Sequence, residues 1–254
     1  MAEVLLKAEN LKKSFGGVMA TDNLSLSVET GTIHAVIGPN GAGKTTLIAQ
    51  LAGALKPDGG RILFGGEDIS ALAPPARSRR GISRTFQITS IFHEFTALEN
   101  VALAVQAHDS HSFRFWRPAR NDHKLVAPAQ NALRTVGLAE RANIIVRNLS
   151  HGERRQLEIA MALATGPKLL LLDEPMAGMG AEESQKMVSI LNQLKGNHTI
   201  LLIEHDMDAV FALADQITVL VYGKSIASGP PVEIRGNKEV RTAYLGEEGA
   251  ADRC

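Results

Sequence analysis

An α/β fold is predicted by three observations. Continuous apolar runs at 33–37, 169–172, 199–203 and 217–221 have the length and uniform hydrophobicity of buried strands in a sheet covered on both faces. The first run leads into a Gly-rich segment and then a helical pattern at 46–52, a strand–loop–helix unit. From roughly 89 to 165 the apolar period becomes helical, so the sheet is interrupted in sequence and resumes afterwards.

Taken in order, residues 1 to about 30 alternate as short strands around a Gly16-Gly17 turn. The run 33–37 delivers the chain to Gly38-Pro39-Asn40-Gly41-Ala42-Gly43-Lys44-Thr45-Thr46. This is the G-x-x-x-x-G-K-T string in its required context, where glycines let backbone N–H groups and a helix N-terminus converge on phosphates. ATP is the expected ligand: Lys44 would reach the β- and γ-phosphates, and the Thr45 hydroxyl would coordinate the bridging Mg²⁺. Arg61-Ile-Leu-Phe64 before Gly65-Gly66 reads as a hairpin strand. Helical faces are expected at 97–105 and 156–163. Lys168-Leu-Leu-Leu-Leu-Asp173-Glu174-Pro175 then carries an acid to the carboxyl end of a buried strand, where α/β sheets bind ligands. Asp173 can hold the Mg²⁺ shell and Glu174 can polarise the attacking water. Without the upstream loop, the same pair would read equally well as a helix N-cap.

With Leu149-Ser150-His151-Gly152-Glu153 added, the chain resembles the ATP-binding subunit of an ATP-binding-cassette (ABC) transporter along almost its whole length. The resemblance implies a P-loop NTPase (RecA-like) core, about 1–88 and 164–235, with an N-terminal antiparallel β subdomain. It also implies an inserted α-helical subdomain at about 89–163 and a tail at about 236–254. In the family the signature L-S-G-G-E starts a helix that closes on the γ-phosphate held by a second subunit. Ser150, Gly152 and Glu153 carry over, and His151 replaces a glycine. Phe15, with Val18 beside it, resembles the aromatic that stacks on adenine. Gln87 resembles the glutamine that senses Mg²⁺ and the membrane partner, and His205 the switch histidine that contacts the γ-phosphate. The family's S-A-L-D after the Glu-Pro pair is here Ala177-Gly178-Met179-Gly180, so the usual aspartate is absent.

Composition agrees with a soluble two-lobed protein: 254 residues at 44% hydrophobic supply a large core. The balance of 27 basic and 27 acidic residues gives no nucleic-acid footprint. The N-terminus lacks a secretory pattern and no apolar run spans a bilayer, so membrane association is expected through partners. The lone Cys254 neither forms an internal disulfide nor sits as a prenylation site, in keeping with the cytoplasmic face of the membrane. Three histidines and interleaved aromatics and arginines at 107–123 read as a surface loop covering the helical lobe rather than a metal or lipid site.

Arg155-Gln-Leu-Glu-Ile-Ala160, Ile203-Glu-His-Asp-Met207 and the ending Glu239-Val-Arg-Thr-Ala-Tyr-Leu-Gly246 are similar to the branched-chain (hydrophobic) amino acid importers. ATPases of urea and short-chain amide importers and of lipopolysaccharide export share parts of this pattern. Other classes fit less well. There is no N-K-x-D guanine reader, the interval from Gln87 to Ser150 is too short for a long coiled coil, and a second cassette is absent. A non-hydrolysing regulatory cassette is at odds with intact Lys44, Asp173, Glu174 and His205. The expected partners are a second ATPase subunit, two permeases and, indirectly, a periplasmic solute-binding protein.

Overall fold

The computed structural model describes residues 3–85, 91–108 and 122–242. The chain opens with a hairpin of two 12-residue strands, β1 (Val4–Phe15) and β2 (Val18–Glu29). They are long strands rather than the short ones expected, because the period-2 pattern slips at register shifts along the pair instead of ending. Leu6 and Ala8 are buried, then Leu11, and the register shifts between Ala8 and Leu11 with Asn10 in the left-handed region at φ 50°. Gly60 lies against this bulge at φ 83°, where a Cβ would sit 2.4 Å from the Glu9 and Asn10 carbonyl oxygens.

The central strand β3 (Ile33–Ile37) follows, buried throughout, then α1 (Lys44–Ala52), β4 (Gly59–Phe64), β5 (Glu67–Asp68), α2 (Pro74–Arg79) and β6 (Ile82–Arg84). The helices α3 (Ala97–His108), α4 (His123–Thr135) and α5 (His151–Leu163) come next. The chain then returns to the sheet through β7 (Leu169–Asp173), α6 (Ala181–Leu194), β8 (Thr199–Ile203), α7 (Met207–Leu213), β9 (Gln216–Val221) and β10 (Lys224–Gly229), with α8 (Pro231–Gly236) following β10. One sheet is antiparallel, β2-β1-β4-β5. The other runs β10-β9-β3-β8-β7-β6, parallel except for β10.

Side-chain alternation explains why the parallel strands are apolar without a break. Leu169, Leu171, Leu201 and Ile203 face α1 and the antiparallel sheet, while Leu170, Leu172, Ile200 and Leu202 face α3, α4, α5 and α6. His34, on β3, is 3% exposed with Nε2 2.8 Å from Thr218 Oγ1, and burial pushes its pKa down to about 4, making it a neutral core residue. Helix α4 falls in the stretch read as helical: Leu125, Ala129, Ala132 and Leu133 form its buried stripe, Pro128 sits within it, and Asp122 caps it by accepting from the Lys124 N–H.

Arg77 is the largest structural surprise. It is 1% exposed and donates to the carbonyls of Gln50 (2.7 Å), Leu51 (2.7 Å), Leu72 (3.0 Å) and Ser70 (3.1 Å). It therefore satisfies the last carbonyls of α1, the helix whose other end carries Lys44, and holds α1 against the loop before α2. Arg77→Met keeps the bulk but removes the guanidinium donors from those oxygens, of which that of Gln50 keeps the Gly53 N–H at 3.1 Å. A loss of about 3–5 kcal/mol is expected in urea unfolding; a change under about 1 kcal/mol would mean that water replaces the guanidinium.

Candidate nucleotide site

The turns after β3, β7 and β8 emerge at the carboxyl edge of the parallel sheet. β3 is flanked by β8 and β9, and β7 lies on the far side of β8. Between β3 and α1, residues 38–43 form a loop whose shape depends on two close approaches. A Cβ on Gly38 would sit 2.1 Å from the Leu220 carbonyl oxygen, and one on Gly43, at φ 102°, 2.2 Å from that of Ala20. Gly41, at φ 79°, faces open space, and Asn40 and Thr45 are exposed. Gly43 caps α1 with no side-chain bond, so the first-turn N–H groups keep their capacity for an anion. Lys44 folds back over the loop, donating to the Gly38 (2.6 Å) and Pro39 (3.0 Å) carbonyls. Burial lowers its pKa, while Glu174 and Asp173 act in the opposite sense.

Strand β2 is pinned beside this loop: Asp22 N–H donates to the Gly223 carbonyl, and Gly223 N–H to that of Ala42. At the tip, Phe15 and Val18 are cross-strand partners, 52% and 68% exposed, with the Lys13 ammonium 5.7 Å from the Phe15 ring centroid. An exposed aromatic on the hairpin whose second strand touches the phosphate-type loop at Ala20 suits a base.

Asp173 ends β7 and is 4% exposed. Its Oδ2 accepts from Arg84 Nη2 at 3.2 Å, while Oδ1 is buried with no hydrogen-bond partner. Burial pushes its pKa up, and Arg84 pulls it down. An orphaned carboxylate oxygen near Lys44 fits a hydrated divalent cation, the use expected of Asp173 and Thr45. Arg84 is a partner that sequence reading misses, since it reaches Asp173 only through the parallel pairing of β6 with β7.

Glu174 follows in the left-handed region at φ 49°, its N–H held by the Ile203 carbonyl at 2.9 Å. Such a conformation in a non-glycine residue has an energetic cost and is typical of functional sites. It brings Glu174 Oε1 to 3.9 Å from Nδ1 of His205, an exposed residue just beyond β8. The adjacent Glu204 is buried, its Oε1 accepting from Met176 N–H (2.9 Å) and its Oε2 from His205 N–H (3.1 Å). Burial pushes its pKa up, and the backbone N–H groups of Met176, His205 and Asp206 pull it down. Glu204 is a second residue that sequence reading misses, although it stands beside His205 in the string that carries the resemblance.

The segment 149–153 forms the entry to α5. Ser150 is the N-cap: its Oγ accepts from Glu153 N–H at 3.1 Å, and Glu153 Oε2 accepts from Ser150 N–H at 2.8 Å, a capping box. Glu153 also pairs with Arg141 at 2.9 Å, so its carboxylate shapes the helix entry. His151 Nε2 lies 3.2 Å from the Ala177 carbonyl oxygen, and a Cβ on Gly152 would meet Glu183 Oε1 at 2.5 Å. Gln87 and most of 107–123 lie outside the described residues. Among those described, no group of three or more His, Cys, Asp or Glu is arranged for a metal, and no helix is long and apolar enough to cross a membrane.

A phosphate-type loop, an acid at a buried strand end and a neighbouring histidine on one sheet edge define a P-loop ATPase. The chain belongs to the ABC transporter family, whose model matches residues 21–177; that of the branched-chain amino acid ATP-binding cassette transporter matches 224–250. It is 39% identical over 97% of its length to the whole of BraF of Pseudomonas aeruginosa, a high-affinity branched-chain amino acid transport ATP-binding protein. The LivG protein of Escherichia coli, described in the same words, is 38% identical over 97% of this chain and all of its own. A crystallised ATP-binding cassette of an ABC transporter in its ADP conformation is 32% identical and superposes with a TM-score of 0.85, covering 96% of this chain and 99% of that one.

Proposed function

We propose that this chain is the ATP-hydrolysing subunit of an importer for branched-chain, hydrophobic amino acids, seated on the cytoplasmic face of the membrane against two permeases. The convergence of Lys44, Asp173, Glu174 and His205 at one sheet edge carries the ATPase reading, and the full-length similarity to BraF and LivG supports the solute class. The ATP would lie between two cassettes, identical or related. The loop 38–46 and the Phe15–Val18 tip would hold it on one side, and Ser150, His151 and Gly152 of the other subunit would close over the γ-phosphate. Thr45, Asp173 and Gln87 would hold Mg²⁺, which when bound neutralises phosphate charge. Lys44 leaves the loop carbonyls for the β- and γ-phosphates, Glu174 orients and polarises the attacking water, and His205 donates to the γ-phosphate. Gln87 reports to the permeases, and Glu153 acts by presenting the signature helix. The solute, delivered by an external binding protein, never meets this chain.

Proteoliposomes containing this chain, its permeases and its second cassette, with binding protein outside and ATP inside, are expected to accumulate labelled leucine, isoleucine and valine. Accumulation of urea or acetamide instead of leucine would refute the solute class while leaving the ATPase reading intact.

A further inference from the structure

The loop between β7 and α6 is held from two sides by contacts made within this chain. On one side, both oxygens of the buried Glu204 are engaged: Oε1 by the Met176 N–H, Oε2 by that of His205. With Glu174 N–H bonded to the Ile203 carbonyl, the turn after β7 is fastened to the turn after β8, and the left-handed Glu174 is fixed relative to His205. On the other side, one residue beyond Met176, the Ala177 carbonyl meets His151. A carbonyl can only accept, so Nε2 is the donor at 3.2 Å. Gly178, at φ 76°, packs beneath the same ring, where a Cβ would sit 3.4 Å from Nε2. Ser150 Oγ lies 3.5 Å from Glu183 Oε1 in the first turn of α6, a third contact between the signature entry and the far end of the same loop. The series His205, Glu204, Met176, Ala177, His151 is thus continuous within one chain.

We infer that His151 and Glu204 are positioning residues that join the two nucleotide sites through one chain. Glu204 sets the turn that aims Glu174 at this chain's own ATP, and His151 couples that turn to the signature helix, which closes on the ATP of the other subunit. This rests on the sandwich arrangement under Proposed function. The device stands where Gly180 leaves the loop without an aspartate. A glycine at 151 would have no side chain to reach Ala177.

The test separates an effect within the chain from one across the interface. In dimers whose second subunit has its phosphate-loop lysine replaced by alanine, the one remaining ATP is held by Lys44 of this chain and faces the signature of the other. His151 of this chain then faces no nucleotide. His151→Gly here is nevertheless expected to slow single-turnover hydrolysis about tenfold. His151→Gln, whose amide can still donate to the Ala177 carbonyl, is expected to recover most of the rate. Glu204→Gln, which turns an amide N–H₂ toward a backbone N–H, is expected to slow the same turnover, and the double variant should lose less than the product of the two single losses. An unchanged rate for His151→Gly with normal ATP-dependent pairing overturns this inference alone, as does equal loss in Gly and Gln variants. Absence of ATP-dependent pairing overturns the sandwich arrangement and this inference with it. If Glu204→Gln fails to fold, the two His151 variants decide.

Discussion

Glu174→Gln is expected to lower ATP hydrolysis by roughly two to four orders of magnitude while leaving Mg-ATP binding in place. The side chain keeps its size, and the backbone that aims it is held independently of the carboxylate: the left-handed φ of 49°, the N–H bond to Ile203 and the Glu204 clamp on Met176 all persist. What is lost is the negative charge that polarises water beside His205. The same charge helps support the protonated state of the buried Lys44, but Asp173 contributes in the same sense, so the phosphate cation survives the change. Phosphate release in steady state measures the loss, and calorimetric titration with Mg-ATP measures the binding. A variant that hydrolyses within threefold of the parent would move the general base elsewhere.

The site is legible where its chemistry is written in contiguous residues. A phosphate loop must be local, because one stretch of backbone wraps the anion, and the acid at 173 is marked by the apolar run that carries it. The strand edges at 33–37 and 199–203 follow from uninterrupted burial. The supports of the site are not legible, since their partners are distant in sequence. Arg84 meets Asp173 across 89 positions, Arg77 meets Gln50 across 27, and Glu204 meets Met176 across 28. A basic residue before a Gln motif looks the same in sequence whether it faces water or a buried carboxylate. The long β1–β2 hairpin reads as short strands because a bulge and a turn both break a period-2 pattern. His151 is visible as a departure from L-S-G-G-E, but only the fold gives it a bonding partner at Ala177.

The remaining large effect concerns closure. With hydrolysis blocked by Glu174→Gln, ATP is expected to hold this chain in a dimer, with itself or with its natural second cassette, and Ser150→Arg is expected to abolish that dimer. Ser150 is exposed at the entry to α5, so the longer side chain has room in the isolated chain. Losing its N-cap bond to Glu153 costs about 1 kcal/mol, small beside the roughly 5–15 kcal/mol that keeps a typical domain folded. Unfolding therefore does not account for a lost dimer. Across the interface, a guanidinium would enter the space where the first-turn N–H groups of α5 are meant to approach the γ-phosphate, colliding with Lys44 and the bound cation on the opposite side. Light scattering at saturating Mg-ATP separates the outcomes. A dimer that survives Ser150→Arg would place the signature away from the nucleotide, and a Glu174→Gln chain that stays monomeric both alone and with its partner would remove the sandwich itself.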